Sequence, residues 1–140
     1  MRRTGNRVLR SGAEGNPVRI FHKTLIVSSQ GEARLAALAN PDQLIVVRRG
    51  RNRSAVFACP CGCRDVLVLN LDRAAGPAWR LRFRRGGPAL MPSIWRTTGC
   101  KSHFIVWDGR IWWCGLAPNE TENFPKDVVK ALKVWWDAIP

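Results

Sequence analysis

The sequence predicts a small, sheet-rich α+β domain built around a cluster of thiols, with a helix toward each end. Three observations carry that prediction. The 140 residues are 46% apolar, enough for one core and too few for a doubly wound or barrel enzyme. Short runs of alternating or continuous apolar residues recur between Gly, Pro and Asp-Gly turns. Helical periodicity is confined to two short segments.

Residues 1–16 are polar, basic and glycine-rich, and read as a flexible arm preceding a single domain over 17–140. From Pro17 a strand is expected through Val18 and Ile20, continuing to Leu25, Ile26 and Val27. Residues 32–39 form a short helix, capped by Ser29 and stopped by Asn40-Pro41. Residues 44–47 are a strand, and the arginines of 48–53 a basic turn. Residues 66–69 make another strand, and 74–77 a turn. From 79 to 84 the chain alternates, with Trp79, Leu81 and Phe83 on one face and Arg80, Arg82 and Arg84 on the other. Gly86-Gly87-Pro88 turns the chain. Asp108-Gly109, between residues 104–107 and 111–113, is the signal of a type I′ hairpin. A final amphipathic helix is expected over 126–137, with Val128, Val129, Leu132, Trp135 and Trp136 on one stripe.

Twenty-three basic against ten acidic residues give a net charge of +13, which favours acidic or polyanionic partners without identifying one. Alternating arginines on a strand are ordinary amphipathicity, and no known nucleic-acid motif accompanies them. Polar residues follow Met1-Arg2-Arg3, and no apolar run approaches the roughly 18 residues that span a bilayer, so a cytoplasmic location is expected.

The strongest local signal is Cys59-Pro60-Cys61-Gly62-Cys63. Three thiolates this close repel one another unless a cation sits among them, and zinc takes tetrahedral thiolate ligands. Cys100 is the best fourth ligand, with His103 its rival and Cys114 in reserve. A closed four-thiolate site leaves no open position and is structural.

Taken with Trp79, Leu90-Met91-Pro92-Ser93-Ile94, Cys100-x-Ser102-His103-Phe104 and Trp107, the cysteine run resembles a small bacterial family of metal-binding proteins. Genes of that family lie in operons for ubiquitin-like conjugation. The resemblance covers roughly residues 40–115 and implies Cys59, Cys61, Cys63 and Cys100 as the zinc ligands. Where the family often has Gly after Pro-Ser-Ile, this chain has Trp95. The implied partners are the ubiquitin-like protein and its activating and conjugating enzymes.

With the thiols assigned to metal, Ser93, Ser102 and His103 remain. On a strand Ser102 and His103 point to opposite faces, so Ser93, ten residues upstream, is the expected nucleophile and His103 its base. Asp108 and Asp72 are equal candidates to orient the imidazole, and His22 reads as structural. One of the adjacent Trp112 and Trp113 is expected on a groove or partner surface. The expected function is a zinc-stabilised serine protease that matures or deconjugates the ubiquitin-like protein. The alternatives are a noncatalytic zinc module that binds it, a metallohydrolase using His103, and a nucleic-acid binder.

Overall fold

The computed structural model describes residues 18, 19, 21, 23–114 and 130. Within them the chain forms two sheets and one α-helix. The strands are β1 (Val18–Arg19), β2 (Lys23–Val27), β3 (Gln43–Arg49), β4 (Arg51–Ala58), β5 (Val66–Asn70), β6 (Arg80–Arg84), β7 (Gly87–Trp95), β8 (His103–Trp107) and β9 (Arg110–Trp113). Helix α1 (Gln30–Ala39) joins β2 to its parallel neighbour β3.

The first sheet has the order β1-β9-β8-β7-β6 and the second β2-β3-β4-β5. The expected single strand from 18 to 27 is therefore two strands in two sheets. Phe21, fully buried, is where the chain crosses between them, and its N–H donates to the Gly109 carbonyl at 3.2 Å.

Burial divides the molecule into layers. Leu44, Ala55, Phe57 and Leu69 of the second sheet pack on Leu90, Ile94, Phe104, Val106, Ile111 and Trp113 of the first. On the other face of the second sheet, Ile45, Val47 and Val56 meet Ala33 and Ala37 of α1. Residues 44–47 are all buried because β3 is covered on both faces. On the outer face of the first sheet, Ala89, Met91, Ile105 and Trp107 form a third cluster, with Trp112 and Cys114 against it.

Ser29 caps α1 as expected, its hydroxyl accepting from Glu32 N–H at 3.2 Å. Asp108 (φ 57°) and Gly109 (φ 75°) make the β8–β9 turn, and positive φ at both positions is what type I′ demands. The arginine segment 48–53 turns the chain only at Gly50. Apart from Gly50 it belongs to β3 and β4, whose paired ends project into solvent and so carry charge rather than apolar residues. The 1–16 arm and His22 lie outside the described residues, as does the 126–137 helix apart from Lys130. Among the described residues no helix is long and apolar enough to cross a membrane.

Candidate functional site

The site begins with an irregularity in β7. Leu90 pairs with Val106 and Ile94 with Phe104, so Met91, Pro92 and Ser93 together oppose the single residue Ile105. The bulge contains the cis Met91–Pro92 bond. Bulges re-aim side chains and recur beside active sites. Here the shift leaves Ile94 in the core while Ser93 and Trp95 share the outer face of the sheet. The segment around Ser93 is thus a bulged strand.

His103 opens β8 opposite Trp95. Its Nε2 lies 3.1 Å from Ser93 Oγ. The indole of Trp95 stacks on the imidazole, with ring centroids 4.9 Å apart and planes 14° from parallel. Trp95 itself is 61% exposed. Burial holds the His103 pKa below its ordinary value, so the neutral ring that can accept a proton is favoured near neutral pH.

Neither aspartate named as an orienting candidate serves the imidazole. Asp72 accepts from Arg51 and Arg53 and from the Ala74 N–H, capping a short 3-10 turn. Partial burial acts against its charge, but the Ala74 N–H and the two guanidinium groups outweigh it and hold the carboxyl below the usual range. Asp108 accepts from the Gly86 N–H at 2.7 Å. Among the described residues no carboxylate is hydrogen-bonded to His103.

One residue back, the strand turns to the opposite face. Ser102 is fully buried, and its Oγ lies 3.1 Å from Cys100 Sγ. Cys59, Cys61, Cys63 and Cys100 bring their sulfurs within 4.8 Å of one another. Cys59 is 3.4 Å from Cys61 and 3.6 Å from Cys100. Four thiolates at ~2.3 Å from one ion sit about 3.8 Å apart, so the cluster needs only sub-ångström adjustment to close on a cation. His103 and Cys114, the rival ligands, lie outside the group.

The local chain explains the clustering. Cys59 N–H donates to the Asp65 carbonyl and Gly62 N–H to the Cys59 carbonyl, a tight turn that Gly62 completes at φ 91°. Cys63 N–H donates to Cys61 Sγ at 3.3 Å. Cys100 comes from the loop between β7 and β8, which Arg96 N–H closes onto the Ser102 carbonyl at 2.8 Å.

Two residues at this centre escaped the sequence reading. The Arg96 guanidinium donates to Cys100 Sγ at 3.1 Å, to Cys63 Sγ at 3.4 Å and to Asp65 Oδ2 at 2.9 Å. Burial alone would lower its pKa, yet Asp65 and the thiols more than compensate and hold it charged. Burial pushes the Cys59 and Cys63 thiols up. Burial acts on Cys100 too, but hydrogen bonds from Ser102 and the neighbouring thiols outweigh it and bring its pKa to about 6. An arginine four residues before a cysteine is no sequence signal, and the reach of Asp65 follows only from the turn.

The molecule therefore carries two arrangements back to back: a hydroxyl–imidazole pair on the outer face, and four thiols that could hold a metal ion at the end of the inter-sheet core. No curated protein and no solved structure gives a significant match to the chain. The family model BubE, described as a bacterial ubiquitination-like system serine protease, matches residues 29–114. That span holds all four clustered cysteines, Ser93 and His103, and with it the chain belongs to the BubE family of bacterial ubiquitination-like systems.

Proposed function

We propose that the protein is a zinc-stabilised serine protease that processes or deconjugates the ubiquitin-like protein of its own system, with Ser93 as nucleophile and His103 as general base. The observation that carries this reading is the 3.1 Å contact between Ser93 Oγ and His103 Nε2 on the outer face of the sheet. The family's description as a serine protease supports it.

His103 with its proton on Nδ1 accepts the Ser93 proton at Nε2 as Oγ attacks the scissile carbonyl. The imidazolium then gives that proton to the departing amine, whether a main-chain nitrogen or a lysine Nζ, leaving an ester on Ser93. Water attacks the ester, its proton passing through His103 to Oγ, which frees the carboxylate tail. With no carboxylate hydrogen-bonded to the ring among the described residues, the stacked Trp95 is what holds the imidazole plane there.

Cys59, Cys61, Cys63 and Cys100 would hold zinc, a four-thiolate donor set that would leave the ion no open position for chemistry. Through Cys100, that set would fasten the 96–102 loop and so the start of β8. Such a thiol set suits a reducing cytoplasm. The partners are the ubiquitin-like protein and the enzymes that activate and conjugate it.

The test is cleavage of a ubiquitin-like precursor by the wild type, Ser93→Ala and His103→Ala, with zinc measured on the same samples. Both variants are expected to keep zinc and to lose about 10³-fold or more in rate. If the wild type cleaves nothing while His103→Ala loses zinc, the protein is a binding module rather than an enzyme.

A further inference from the structure

Strand β6 ends the first sheet, and among the described residues its second edge pairs with no strand. A cavity of about 300 Å³ lies there, lined by Trp79, Arg80, Leu81 and Arg82 together with Asn52, Leu71 and Arg73. Consecutive residues of a strand point to opposite faces. Three consecutive residues of β6 lining one cavity, with Trp79 just before them, place it along the strand's edge rather than on one face.

The lining is cationic and uncompensated. Arg73, Arg80 and Arg82 form no ion pair among the described residues, and Asp72, beside Arg73 in sequence, is taken by Arg51 and Arg53. A second observation is independent of charge. Trp79 buries its indole N–H with no acceptor among the described residues, and an unsatisfied buried donor is uncommon.

The edge also has a direction. Arg80 pairs with Met91, and Ser93 lies two residues further along β7. A segment laid on β6 is therefore led to the end of the sheet that displays Ser93.

We propose that this edge is the docking groove for an extended, acidic stretch of the substrate polypeptide. The backbone of β6 pairs with it, Arg73, Arg80 and Arg82 meet its carboxylates, and Trp79 and Leu81 take the apolar side chains between them. Strand addition joins main-chain hydrogen bonding to alternating side-chain recognition, which a nucleic acid does not match. The inference rests on the protease reading for the word substrate, but the groove is tested without hydrolysis.

The test is fluorescence anisotropy with the full chain carrying Ser93→Ala. The probes are a labelled peptide of alternating Glu and Val, its Lys/Val counterpart, the Glu/Val peptide N-methylated at alternate residues, and a single-stranded oligonucleotide of equal charge. The Glu/Val peptide is expected to bind at least about tenfold tighter than each of the other three. Adding Arg80→Glu and Arg82→Glu, both at exposed positions, removes that preference, while Arg80→Lys with Arg82→Lys keeps it. The groove is refuted if the Lys/Val or N-methylated peptide binds as well, if the oligonucleotide binds tighter, or if charge reversal changes nothing. Because binding is read on a chain without the Ser93 hydroxyl, either result is independent of whether cleavage occurs.

Discussion

Replacing Arg96 with methionine keeps much of the side-chain volume and removes the cation from the thiol cluster. Four thiolates around a divalent ion carry a net charge of −2, and Arg96 offsets half of it while donating to two of the sulfurs. Its side chain is only 15% exposed, so water replaces those bonds poorly. Hydrogen bonds to charged groups contribute about 1.5–3 kcal/mol each. The 3.4 Å contact to the more exposed Cys63 sits at or below the low end. A loss of roughly 2–3 kcal/mol is a 30- to 150-fold weaker metal affinity, in line with the ~10–100-fold typical of groups that support a ligand shell. Competition against a chromophoric zinc chelator reads this directly. Asp65, 54% exposed, is left beside the thiolates without its partner, so adding Asp65→Asn to Arg96→Met is expected to recover part of the loss. An affinity within twofold of wild type would refute the reasoning, because it would mean that the guanidinium does not sense the charge of the cluster.

Four further outcomes follow from the structure. Since burial holds the His103 pKa below 6.5, the acid limb of kcat/KM is expected to have its midpoint below that pH, and a midpoint at or above 6.5 contradicts it. The same shift makes the unfolded chain the better proton acceptor, so the His103 contribution to stability falls as pH drops below 6.5. Denaturant titrations of wild type and His103→Gln across that window check the sign. Phe57→Ala empties a fully buried site where the ring meets Phe21 at 5.2 Å and Phe104 at 6.4 Å, and is expected to cost about 3–5 kcal/mol of unfolding free energy. Trp95→Ala is expected to lower kcat more than Trp95→Phe, which keeps an aromatic face on the imidazole, with zinc content unchanged in both.

What could be read from the sequence was local. Ser29 and Glu32 mark the start of α1, and Asp108-Gly109 marks the β8–β9 turn, because each depends on backbone chemistry within a few residues. The 59–63 cysteine run was legible because thiols at such spacing have little other use, whereas the choice of Cys100 over His103 and Cys114 rested on the family resemblance. The partition into two sheets was not, since only the crossing at Phe21 separates β1 from β2 and nothing in the sequence marks a change of sheet. The arginines of 48–53 looked like a turn because charge in a hairpin end and charge in a loop read alike. The β7 bulge follows from a register set jointly by β6 and β8, so whether Ser93 faces His103 is not decided by residues near Ser93. Arg96 and Trp95 belong to the same class, since their partners come from elsewhere in the fold.

The two glycine turns of the first sheet meet at the end away from Ser93. A side chain at Gly109 would fall on the Gly86 carbonyl, and one at Gly87 would lie 2.7 Å from the Gly109 Cα, so the β6–β7 and β8–β9 turns interlock with no room for a methyl group. At the opposite end the thiol cluster gathers Cys100 onto the 59–63 turn. The β7–β8 hairpin is thus moored at both ends, like a string held at bridge and nut. Neither strand can slide to erase the two surplus residues between the moorings, and that trapped slack is what sets Trp95, rather than Ser93, directly across from His103 and so lays an indole on the imidazole.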